Sequence, residues 1–206
     1  MKIYVVGGSV GYASFIKNAT ITDSLEEADI VLFTGGEDVD PSLYNKTKHA
    51  YTMSNLDRDL YEKSIFEQVK PTQLCVGICR GSQFLCVMNG GILVQHCNNH
   101  ATGCCHTITN GKTIYTITST HHQMQYPFNL PDSDYDILFI SHSAKSTIIQ
   151  GDGVNDEVIY SKGNPEIVLY HKEGLPKCLA IQGHPEMMPN SPVSSMLNNL
   201  IKKLTK

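Results

Sequence analysis

At 206 residues the chain is long enough to bury a sizeable core and short enough to be read as one domain, 1–206. With 41% hydrophobic and 17% charged residues, and no apolar run near the roughly 20 residues that span a bilayer, it is expected to be soluble and to have no membrane partner. A net charge of −4, with lysines mostly scattered, leaves no basic footprint for nucleic acid.

The N-terminus, MKIYVVGGSV, reads as a strand over Lys2 to Val6 rather than a secretion signal, because glycines cut the apolar run and no small-residue cleavage site follows. A cytoplasmic location is the expectation. Gly7, Gly8 and Gly11 do not complete a G-x-G-x-x-G dinucleotide loop. Next come a short helix over Ser24 to Ala28, a strand over Ile30 to Phe33 and a helix over Asn55 to Gln68. A strand from Leu74 to Ile78 runs straight into a helix over Gly81 to Met88. Beyond it, Gly91 to Val94, Thr113 to Thr118, Asp136 to Ser141, Val158 to Ser161, Ile167 to Tyr170 and Cys178 to Gln182 read as strands. The terminal helix, Ser191 to Leu204, sets Met196, Leu197, Leu200, Ile201 and Leu204 on one face for core packing. Alternating strands and helices predict an α/β fold, an open and mostly parallel sheet with helices on both faces. The helix-poor middle predicts extra antiparallel strands and loops beside it.

Seven cysteines is an odd number in a chain too large to need disulfide staples, so reduced thiols are expected. Cys75, Cys86 and Cys178 read as packing. Cys79 differs. In VGICRGSQFL it stands between Gly77 and Gly81 where strand becomes helix, and flanking glycines permit a sharp corner that lifts the central side chain above the sheet. Backbone N–H groups at the helix start favour an anion there. The glycines alone are equally compatible with tight helix–sheet packing and an inert thiol. A second site comes from CLAIQGHPE, where His184 and Glu186 follow a strand. Functional groups collect at carboxyl ends of strands in such sheets, so an imidazole base and its orienting carboxylate are expected to meet the thiol.

GICRGSQ with a downstream GHPE resembles the class I glutamine amidotransferase family. FTGGEDVDPSLY, Arg58-Asp59 with Glu62, NGGILVQH and STHHQ resemble its gamma-glutamyl hydrolase-like branch, of the gamma-glutamyl-gamma-aminobutyrate hydrolase type. That branch carries a longer segment before the GGxD loop, which begins here at Gly35. The resemblance implies a Cys-His-Glu triad of Cys79 as nucleophile, His184 as base and acid, and Glu186 as its partner, with an oxyanion hole from the backbone N–H groups of Gly36 and Arg80. It also implies substrate contacts from Gln83, His122 and Gln123. Arg58, Asp59 and Glu62 have spacings equally suited to pairing within a helix.

The expected reaction is hydrolysis of a γ-glutamyl amide, in glutamine or a small γ-glutamyl conjugate, through a thioester on Cys79, with no cofactor. Two alternatives accompany it: a glutaminase subunit passing ammonia to a separate synthetase, and a silent binding protein on the same fold. QHCNNHATGCCH gathers His96, Cys97, His100, Cys104, Cys105 and His106. Its spacing fits no structural zinc finger, so no metal is assigned and the segment reads as a redox-sensitive mobile loop.

Overall fold

The computed structural model describes residues 1–97, 100–142, 147–148 and 163–206. The strand expected over Val158 to Ser161 lies outside them. The elements are β1 (Lys2–Val6), β2 (Thr20–Ile21), β3 (Ile30–Phe33), α1 (Leu56–Phe66), β4 (Leu74–Ile78), α2 (Arg80–Met88), β5 (Ile92–Val94), β6 (His96–Cys97), β7 (Ala101–Thr109), β8 (Ile114–Thr120), β9 (Met124–Tyr126), β10 (Tyr135–Ser141), β11 (Thr147–Ile148), β12 (Asn164–Tyr170), β13 (Cys178–Ile181) and α3 (Pro192–Leu204).

Nine strands form one sheet in the order β2-β1-β3-β4-β13-β12-β10-β7-β8, and the first five run parallel. The rest continue the same sheet antiparallel. β3, β4 and β13 are buried along their whole length because helices cover both faces, which is why they read as unbroken apolar runs. The pleat divides them: Ile30, Leu32, Val76 and Ile78 face Val193, Leu197 and Ile201 of α3, while Val31, Phe33 and Cys75 pack with Phe66 of α1 and Phe84 of α2. α3 starts on Ser191, whose side chain accepts from the Ser194 N–H with Pro192 in the first turn, and ends on Lys202 and Lys203. Its inward stripe centres on Leu197 and Ile201; Met196, Leu200 and Leu204 pack beside it, half-buried. Among the described residues no helix is long and apolar enough to cross a membrane.

Two expectations fail. Ser24 to Ala28 is a turn, because the Gln73 amide donates to the carbonyls of Leu25 and Ala28, both at 2.7 Å. Within the segment the Leu25 carbonyl also takes a single turn bond from the Ala28 N–H at 3.3 Å, and no helix continues from it. The segment expected as a mobile loop is largely strand: Cys104, Cys105 and His106 pair with Ser119, Thr118 and Ile117 of β8, with a register shift beginning at Ala101 and Gly103 at φ 66°. Non-local pairing supplies there what the polar composition hides.

α1 reverses the usual pattern. Asp59, Glu62 and Phe66 are buried, while Leu60 and Tyr61 are more than half exposed. The cause is Arg80, a buried guanidinium that Asp59 and Glu62 neutralise from across the helix interface.

Candidate active site

Parallel pairing of β4 with β13 sets the site. Ile78 lies opposite Ile181, so the residues just past each strand, Cys79 and His184, emerge at the same edge of the sheet. The Cys79 N–H extends the ladder to the Ile181 carbonyl at 2.8 Å, and the chain then turns abruptly. Cys79 has φ 53° and ψ −111°, a conformation that costs a non-glycine residue about 1–3 kcal/mol. A Cβ on Gly77 would strike the backbone of Gly81, and one on Gly81 the Phe33 carbonyl, so both glycines are required by close approach.

The His184 N–H donates to Thr118 Oγ1 at 2.6 Å, and its Nδ1 lies 2.6 Å from Glu186 Oε1. That contact orients the ring and leaves Nε2 for Cys79. Burial alone would lower the pKa of His184; hydrogen bonds to Cys79 and Glu186 outweigh it and raise it to about 10. The imidazolium is therefore favoured at neutral pH. Tyr12, from the 3-10 helix Val10–Phe15, tilts against the ring with centroids 6.1 Å apart. Burial, then Glu186 and Cys79, push its phenol up. No local signal marks Tyr12 in the sequence, because only the fold brings the VVGGSVGY segment to His184.

Beside Cys79 lies a cavity of about 250 Å³ lined by Gly36, Asp38, Arg80, Gln83, His122 and Gln123 among others. A larger groove of about 610 Å³, between Tyr115, Leu138, Met196 and Leu200, contains no cysteine or histidine. Gly36 has φ 139°, and a side chain there would collide with the Arg58 guanidinium. Arg58 grips the preceding turn, donating to the Gly35 carbonyl at 3.0 Å while its Nε holds Glu62 Oε1 at 2.8 Å. Arg80 is buried, bound to Asp59 and Glu62 and stacked over the Phe84 ring at 5.1 Å. These two arginines brace the cavity walls from behind.

Gln83 donates through Nε2 to the Gln123 carbonyl at 3.0 Å, and Gln123 donates to Thr52 Oγ1 at 3.1 Å. The two adjacent histidines are unlike. A hydrogen bond to Asp38 Oδ1, 3.2 Å from His122 Nε2, raises the pKa of His122 against the effect of burial. Burial pushes His121 down to about 3 and keeps it neutral. The fold thus groups Cys79, His184 and Glu186 at the strand ends, and Gly36, Arg80, Gln83, His122 and Gln123 around the adjoining cavity.

Residues 4–144 match the Peptidase C26 family. Among curated proteins, the chain is 35% identical over 78 residues to protein NtpR of Enterococcus hirae, covering 37% of this chain and 33% of that protein. It is 39% identical over 85 residues to the candidate glutamine amidotransferase-like protein YvdE homolog of Lactococcus lactis subsp. cremoris, covering 38% and 43%. These alignments span less than half the length of the curated relatives. Among solved structures, a candidate GMP synthase component from Thermoplasma acidophilum superposes with TM-score 0.64 at 17% identity, covering 100% of this chain and 94% of that one. A glutamine amidotransferase of Thermotoga maritima superposes with TM-score 0.54 at 13% identity, covering 99% and 94%. These two establish a shared fold.

Proposed function

The chain belongs to the Peptidase C26 family, and from that premise we propose that it is a cysteine-dependent hydrolase of a γ-glutamyl amide. The observation that carries the reading is Cys79 on a strained corner with a hydrogen-bonded His184–Glu186 pair at its side. The Cys79 sulfur attacks the γ-carbonyl carbon, and the oxyanion is received by the backbone N–H groups of Arg80 and Gly36. His184 then gives its proton to the departing amine as the C–N bond breaks, leaving a γ-glutamyl thioester. Water attacks that thioester while His184 takes its proton, and glutamate leaves with the thiolate restored. Gln83, His122 and Gln123 hold the α-amino and α-carboxylate groups of the glutamyl unit. His122, whose pKa is raised by its hydrogen bond to Asp38, suits the carboxylate.

The test is glutamate release from glutamine and a panel of γ-glutamyl amides by the purified chain. Cys79→Ser is expected to abolish it with the fold retained; substantial residual turnover would remove Cys79 from the role. A second reading, a glutaminase component feeding ammonia to a synthetase, draws on the fold shared across almost the whole chain with the Thermoplasma protein. Activity that appears only when a synthetase partner is added would favour it.

A further inference from the structure

Outside the Cys79 chemistry, three histidine rings surround one carboxylate. His100 precedes β7, His106 lies on β7, His121 follows β8 and Glu166 lies on β12. Ring centroids are 5.1 Å apart for His100 and His106, 4.8 Å for His100 and His121, and 6.2 Å for His106 and His121. Glu166 and His100 are fully buried and His121 is 3% exposed.

The hydrogen bonding of this cluster is lopsided. Glu166 Oε1 accepts from Ser141 Oγ at 2.8 Å and also has His100 Nε2 at 3.2 Å and His106 Nε2 at 3.0 Å. Its other oxygen, Oε2, faces His121 Nε2 across 3.9 Å, and neither of those atoms has a hydrogen-bond partner among the described residues. His106 is close enough to Oε1 for an ion pair but is not aligned for a hydrogen bond, so both its ring nitrogens are unpartnered in that sense. His121 Nδ1 lies 3.0 Å from the Gln123 carbonyl, which can only accept. Nδ1 therefore carries a proton, and in the neutral tautomer Nε2 presents a lone pair. Two buried acceptors, His121 Nε2 and Glu166 Oε2, thus point at each other with no donor between them. Each buried polar atom left so costs about 1–3 kcal/mol.

A cation held between these rings would take one ligand atom from each of His100, His106 and Glu166. Zinc binds imidazole nitrogen and carboxylate oxygen at about 2.0–2.2 Å, which sets the ligand-to-ligand edge of a tetrahedron at about 3.4 Å. The two histidine-to-Oε1 spacings, 3.2 and 3.0 Å, approach that edge, and ligand atoms of His100, His106 and Glu166 all lie within 4.8 Å of one another. We propose that His100, His106 and Glu166 form a buried site for a divalent ion of the zinc class, with His121 Nε2, 3.9 Å from Glu166 Oε2, at its edge. Ser141 on the carboxylate, the Gln123 carbonyl on His121 and Cys97 Sγ, 3.2 Å from His100 Nδ1, supply the outer contacts that orient such ligands. The three protein ligands come from the β7 segment and β12, so the ion ties those two strands together beside His121.

The experiment loads the full chain with zinc chloride, dialyses it, and measures retained metal and thermal midpoint, with cobalt(II) as a spectroscopic substitute. One zinc per chain is expected, with the intense visible absorption of four-coordinate cobalt and a midpoint raised by about 5–10 °C at a hundredfold excess over Kd. His106→Ala and Glu166→Gln should lose the ion, whereas Cys104→Ser with Cys105→Ser should keep it. Wild-type chain that retains no stoichiometric zinc and shows no midpoint shift overturns the proposal, whether or not the variants fold. Retention that depends on Cys104 and Cys105 instead would overturn it too.

Discussion

Glu62 binds Arg80 across the boundary of α1 and α2 with both side chains withdrawn from solvent, and its second oxygen holds Arg58 at 2.8 Å. One carboxylate thereby fastens both walls of the Cys79 cavity. Arg80 follows the cysteine directly, and Arg58 grips the Thr34 and Gly35 carbonyls ahead of Gly36.

Removing one partner from such a buried network leaves a charge without compensation. Glu62→Gln is expected to lower stability by about 3–5 kcal/mol. Leu60→Ala, on the exposed side of the same helix, should change it by less than about 0.5 kcal/mol. Urea midpoints of the two variants check this, and equal effects would refute the bracing role.

The corner at Cys79 stores backbone strain that glycine does not feel. Cys79→Gly should be more stable than Cys79→Ala by about 1–3 kcal/mol, with both variants inactive. Chemical denaturation compares the pair directly. Alanine matching glycine would mean that the positive φ carries no cost.

Gly77→Ala would drive a methyl group into the Gly81 backbone, which has no flexible end to swing aside. A loss of about 1–3 kcal/mol is expected, together with lower turnover, since the corner must shift to accommodate it. Wild-type stability in this variant would show that α2 can move freely off β4.

His184 links stability to pH. Its pKa is raised to about 10 in the folded chain, against about 6.5 when unfolded. Folding therefore takes up a proton between those values, so the contribution is fully present below about pH 6.5 and is lost as pH rises towards 10. The stability difference between wild type and His184→Asn should shrink across that window. A difference that stays constant from pH 6 to 10 would contradict the pairing with Cys79 and Glu186.

The legible parts of this chain are those governed by local sterics and by period. The glycines around Cys79 announce a tight corner because only residues without Cβ fit there, and unbroken apolar runs announce β3, β4 and β13 because both sheet faces are covered. The Ser191-Pro192 start and the leucine spacing of α3 are equally plain. Other features depend on partners distant in sequence. β7 is a strand by pairing with β8 despite its cysteines and Gly103, and α1 turns carboxylates inward only because Arg80 waits there. Tyr12 reaches His184 by the path of the chain after β1. His100 and His106 lie in one stretch, but His121 and Glu166 join them from two others, and nothing in the spacing encodes that meeting. Periodicity and backbone sterics act over a few residues and can be read along the chain; the burial of charge and the company of a side chain are set by which strands lie side by side, and that was decided by the tertiary fold.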